Sequence, residues 1–127
     1  MNVALGMRLV ALRGANTVTE NTAEAILSAT DKLMREILAR NALDAEHLVS
    51  CIFTLTEDLD AEFPAVAARR MGLSQVPLLC AREIPVPGAL PRVIRVLMHC
   101  YPPVGVVPEH VYLGEARRLR LDLEGAQ

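Results

Sequence analysis

The sequence predicts an α/β (α+β) domain: a sheet of five short strands packed on one long helix, with shorter helices beside it. Three observations carry this. Several short segments alternate apolar and polar residues with period two. One long stretch repeats apolar residues at helical spacing, and Gly, Pro and polar clusters punctuate the intervals. At 127 residues the chain has the length of one domain and enough apolar side chain, 52% of residues, for a real core.

The elements follow in order. Arg8 to Gly14, "RLVALRG", reads as a strand that ends at its glycine and is closed by Arg13. Asn21 then stands three residues before Glu24, the spacing of a helix cap and its reciprocal partner. The helix that follows carries Ile26, Leu27, Thr30, Leu33, Met34, Ile37 and Leu38 as a broad apolar stripe, with Asp31, Lys32, Arg35 and Glu36 turned to solvent. Asp44 caps one short turn. Leu48 to Thr56 alternates as a strand, with Val49, Cys51, Phe53 and Leu55 on one face.

A polar loop "EDLDAE" precedes a short helix that has Pro64 at its first position and Gly72 just past its end. Two strands, Val76 to Ile84 and Arg92 to Cys100, are joined as a hairpin by "PVPGALP". After a Pro-rich loop, "EHVYL" is a last short strand and "GEARRLRLDL" a closing turn or tail. The order is β-α-β-α-β-β-β, with no repeat and no linker. Such a sheet has one face that lacks a helix, which points to an oligomer.

Composition narrows the function. A net charge of -2 and 3% aromatic residues argue against a nucleic-acid partner, which would ask for a basic surface and stacking rings. No apolar run approaches the roughly 20 residues of a membrane span. Cys51, Cys80 and Cys100 are odd in number and lack a CxxC pair, which suits reduced thiols in a cytoplasmic protein. The residues Met1 to Gly6 read as a short leader rather than a signal peptide.

Most catalytic signatures are missing. His47, His99, His110 and the cysteines fall in no metal-ligand spacing, so no metal is expected. The acids Glu57, Asp58, Asp60 and Glu62 lack the glycine of a calcium loop and read as a solvated loop. Cys80 has no histidine near it in sequence, and GxSxG, P-loop and GxGxxG patterns are absent. What remains is arginine, since Lys32 is the one lysine among 13 basic residues. Arginine presents a planar fork suited to carboxylates and phosphates. Arg95 stands inside the apolar run "VIRVLM", where one reading is an ion pair with Glu83 across the hairpin. Cys80 and Glu83 are three apart and face opposite ways on a regular strand, so they converge only through a bulge or a subunit boundary.

Four stretches, "LRGANTV", "TEDLDAEFPAVAAR", "VPLLCAREIPVPGALPRVIRVLM" and "HVYLGEARRLRLDL", together resemble the small trimeric chorismate mutases of the mixed α/β type. The similarity runs from about Met7 onward. The resemblance implies a single domain over 1–127 with a five-stranded mixed sheet, assembled as a homotrimeric pseudo-α/β barrel with active sites at the subunit interfaces. It implies the rearrangement of chorismate to prephenate without a cofactor. Carried over residue by residue, Arg95 is the cation at the ether oxygen, Arg13 with Tyr112 grips a carboxylate, and Glu83 binds the ring hydroxyl with Cys80 beside it. Phe63 and Arg69 border the cleft from the adjoining subunit, and Leu119 and Arg120 belong to a tail, 115–127, that closes over it. Val66, Leu79 and Leu121 depart from the family pattern at the cleft rim and tail. Rival readings are an imine or enamine deaminase on a similar trimeric fold, and a small-acid-binding trimer without catalysis.

Overall fold

A computed structural model describes residues 8–120. The expected leader, Met1 to Gly6, the Leu121 departure and the last part of the expected tail lie outside the described residues. The elements are β1 (Val10–Thr17), α1 (Ala23–Arg40), β2 (Leu48–Leu55), α2 (Ala65–Arg70), β3 (Leu78–Arg82), β4 (Val93–Cys100) and β5 (Val111–Tyr112), with 3₁₀ turns at Ala45–His47 and Gly114–Ala116. The strands form one mixed sheet in the order β3-β2-β4-β1-β5. β4 is antiparallel to both β1 and β2, whereas β2 and β3, like β1 and β5, run parallel.

This order corrects the expected hairpin. β3 and β4 are consecutive in sequence but β2 lies between them. The reason is α2: a helical crossover between β2 and β3 makes those two strands parallel neighbours. β4 pairs on the far edge of β2 instead of on the outer edge of β3, and the loop "PVPGALP" connects the two strands.

The first strand runs through Gly14 instead of ending there. A Cβ at Gly14 would stand 2.6 Å from Ile37 Cδ1 and 3.2 Å from Leu33 Cδ1 and Val96 Cγ1. The glycine is therefore a packing residue that lets α1 lie close on β1, and Arg13 falls mid-strand. The cap of α1 is Thr22, whose side chain accepts from the Ala25 N–H, one residue after the expected Asn21. Asn21 is occupied elsewhere: its Oδ1 accepts from Asp60 and Ala61 N–H, and its Nδ2 donates to Asp60 Oδ1. In β2 the alternation holds for Cys51 and Phe53 but fails at Val49, which is exposed because the register against β4 slips between Leu48 and Ser50. At α2, Pro64 is the cap residue rather than the first helical one, and Gly72 follows the helix at φ +99°.

The core lies between α1, α2 and one sheet face. Leu33, Met34 and Ile37 pack on Leu12, Cys51, Phe53, Val96, Met98 and Cys100. Asn41, fully buried at the end of α1, bonds the Ile37 and Glu109 carbonyls and accepts from the Glu109 N–H. It thereby fixes the entry to β5. The acidic loop is more than a solvated turn. Asp58 accepts from the Arg92 N–H at 3.0 and 3.2 Å and from the Thr56 hydroxyl, while Arg92 Nε donates to the Val18 carbonyl. Arg92 adopts φ +52°, a left-handed conformation that this clasp holds in place. Among the described residues no helix is long and apolar enough to cross a membrane.

Candidate active site

On the sheet face away from α1, three central strands place polar residues side by side. Arg95 on β4 stands opposite Ala15 of β1 and Thr54 of β2, and Arg13 stands opposite Leu97. Because β5 pairs in parallel with β1, Tyr112 sits next to Ala15. Arg13, Arg95 and Tyr112, together with Ile52, Thr54 and Leu97, line a hollow of about 310 Å³. Glu83 follows the end of β3, where its backbone N–H bonds the Leu55 carbonyl. Its side chain crosses above β2: Oε2 meets Arg95 Nε at 3.1 Å and accepts from the Thr54 hydroxyl at 2.6 Å. The ion pair expected between Glu83 and Arg95 forms, but across β2 instead of within a hairpin. Glu83 is 15% exposed and Arg95 46%, so the acid is the more buried partner, held against two residues, Thr54 and Arg95, that line the hollow.

The site has a third arginine in reach. His110 accepts the Arg13 N–H at Nδ1, 2.9 Å away. Burial pushes the His110 pKa down, and the charges of Arg13 and then Arg120 lower it further. Arg120 therefore lies within electrostatic range of His110, which holds the backbone of Arg13. Leu119 packs against Ala15, Val93, Tyr112 and Ala116, which tethers the start of the C-terminal segment beside Tyr112.

Cys80 and Phe63 lie elsewhere in the chain. Cys80 pairs with Phe53, so it faces the helix side of the sheet while Glu83 serves the other side. The pairing of β3 with β2 runs without a bulge, and the parity of the strand is kept. Cys80 shares a second hollow, of about 340 Å³, with Phe63, Leu59, Glu62 and Arg82. Phe63 is 65% exposed there, a large apolar side chain left in solvent at the head of α2. Arg69 is exposed on α2 and lines neither hollow. A single chain thus gathers Arg13, Arg95, Glu83, Tyr112, Leu119 and Arg120, and carries Cys80, Phe63 and Arg69 at a separate place.

Thr54 and His110 belong to the site although sequence reading singled out neither for it. Thr54 sits on the polar face of a strand, where alternation puts any Ser or Thr, and its contact with Glu83 depends on strand order. The open sheet face around the hollow also carries apolar side chains, with Leu79 62% and Leu97 36% exposed. No group of three His, Cys, Asp or Glu side chains fit to hold a metal converges among the described residues.

Residues 9–123 match the family model of chorismate mutase type I. The chain belongs to this family. It is 56% identical over 119 residues to the chorismate mutase AroH of Thermus thermophilus, covering 91% of this chain and 97% of that protein. It is 38% identical over 122 residues to the AroH chorismate mutase of Bacillus subtilis, covering 92% and 94% of the two chains. Among solved structures, a chorismate mutase from Clostridium thermocellum superposes with a TM-score of 0.82 at 46% identity, covering 86% of this chain and 98% of that one. The chain shares the fold of that solved chorismate mutase, a mixed five-stranded sheet with helices.

Proposed function

We propose that the chain converts chorismate to prephenate, as a step toward phenylalanine and tyrosine, in hollows completed between neighbouring copies of a homotrimer. The observation that carries the reading is the convergence of Arg13, Arg95 and Tyr112 on one hollow with Glu83 clamped against Arg95.

The substrate is a flexible dicarboxylate, and its rearrangement is a concerted shift in which one C–O bond breaks as one C–C bond forms. No proton has to move and no covalent intermediate is needed. The protein contributes by holding the compact reactive conformer, which removes much of the entropic barrier. It also places fixed positive charge where the ether oxygen becomes negative. Arg95 takes that position. Arg13 and Tyr112 grip a carboxylate, with Arg120 adding charge as the C-terminal segment closes. Glu83 accepts from the ring hydroxyl and fixes the ring's orientation.

Two features support assembly. The apolar side chains on the open face need cover, and the Phe63–Cys80 hollow lies apart from the arginines within one chain. In the trimer that hollow, with Arg69 beside it, borders the arginine hollow of the next copy. Free Cys51, Cys80 and Cys100, two of them buried, suit a reducing cytoplasmic setting. Purified protein should consume chorismate, followed by loss of its ultraviolet absorbance, and yield prephenate. Well-folded trimer without turnover would overturn the reading.

A further inference from the structure

Glu83 is held by a residue with no charge of its own. Glu83 directly follows β3, with its backbone N–H still bonded to the Leu55 carbonyl of β2. Two groups hold its carboxylate at the same oxygen: the Thr54 hydroxyl donates to Oε2 at 2.6 Å, and Arg95 Nε forms an ion pair with Oε2 at 3.1 Å. Among the described residues Oε1 takes no donor, which leaves it for a ligand hydroxyl. Thr54 is placed for this by the sheet itself. It stands opposite Arg95 in one register and beside Ala81 in the other, so β2 carries it between the strand bearing the cation and the strand leading to the acid. As a β-branched residue on a strand its χ1 is stiff, so its hydroxyl has few directions available. Hydrogen bonds to a charged acceptor are the strong ones.

We infer that Thr54 is a positioning residue: its hydroxyl pins Glu83 Oε2 beside Arg95 so that Oε1 is left to receive the substrate's ring hydroxyl. The inference rests on the reaction proposed above. Without the hydroxyl, Glu83 keeps the half-exposed Arg95 as its ion-pair partner, but its carboxylate loses the contact that fixes Oε2. Displacements of about 1 Å in such a site cost on the order of 100-fold in rate.

The test compares Thr54→Val, which keeps the shape and removes the donor, with Thr54→Ser, which keeps the donor. Thr54→Val should lower kcat/KM about 10- to 100-fold with kcat bearing most of the loss, while Thr54→Ser stays within about threefold of the parent. In a Glu83→Gln background the Thr54→Val penalty should shrink to less than about threefold, because the group it orients is gone. Ser50→Ala, which removes another hydroxyl from β2, should leave turnover unchanged. A crystal structure of Thr54→Val should show the Glu83 carboxylate swung away from its position beside Arg95, a readout independent of chorismate turnover. Equal losses in the Val and Ser variants, an undiminished penalty in the Glu83→Gln background, or an unmoved Glu83 would each overturn the role. Failure of the parent protein to consume chorismate would instead overturn the reaction on which it rests.

Discussion

On the sheet face that α1 covers, Leu12, Phe53, Val96 and Met98 are buried in one apolar cluster. One residue along the same strands, Arg13, Thr54, Arg95 and Leu97 line an open hollow. The two faces share backbone, register and hydrogen bonds. What differs is the neighbour: α1 covers one side, while on the other the described residues cover the Ala15, Val93 and Tyr112 end with Ala116 and Leu119 and leave the hollow open. The covered face is decided by packing, where each methylene counts. The open face tolerates charge because solvent, a substrate or a second copy can supply the partners that a sealed core would have to provide.

This contrast can be broken from either side, and the largest effect should come from the covered face. Phe53→Ala removes the largest fully buried side chain and should cost about 3–5 kcal/mol of stability, read as a shift of the denaturant midpoint. Arg95→Ala should do the reverse. Its kcat should fall about 10²- to 10³-fold, as expected when one preorganised electrostatic contact is lost, with a melting temperature near that of the parent. A large drop in stability for Arg95→Ala would show that the open face is structural too. Leu97→Asp tests the neighbour itself. The monomer should keep its fold, since this side chain lies outside the apolar cluster, but sedimentation should show a lighter species with diminished turnover. An unchanged assembly with full turnover would remove Leu97 from the subunit contact.

The smallest effect concerns pH. Burial pushes the Cys51 thiol from an ordinary 9.0 to about 12, with the neighbouring Cys100 adding to the rise. The unfolded chain therefore loses its proton first, and stability should fall as pH rises from about 9 toward 12. At the acid end His110, held below 6.5 by burial and by Arg13 and Arg120, must stay neutral to accept the Arg13 N–H. The unfolded state takes up that proton first, so stability present above pH 6.5 should decline as pH falls below it. Denaturation of Cys51→Ala and His110→Asn variants across pH should flatten the alkaline and acid limbs respectively. Unaltered limbs would remove these residues from the account.

Much of this was legible in the sequence, for physical reasons that can be named. The helical stripe from Ile26 to Ile37 and the alternation at Cys51 and Phe53 specify element type, since periodicities of 3.6 and 2 follow from local backbone geometry. The arginines stood out because charge inside an apolar run needs a partner. The parity argument held as well: Cys80 and Glu83 do face opposite sides of the sheet. Other features were not legible, because they depend on what lies across the gap. Gly14 read as a strand end, yet its missing side chain is required by Ile37 and Leu33 of α1. Asn21 read as a cap, yet it holds the Asp60 loop. Arg92 read as the first residue of a strand, yet the structure places it just before β4 as the partner of Asp58 and Val18.

The sequence by itself determined the number and kind of elements and, through its four family stretches, the chemistry to look for. Only the tertiary structure decided that β2 runs between β3 and β4. The helical crossover through α2 makes β2 and β3 parallel neighbours, a pairing that local sequence pattern does not specify. The strand order sets Thr54 between Glu83 and Arg95, a juxtaposition that sequence distance hides because the three residues meet only through neighbouring strands.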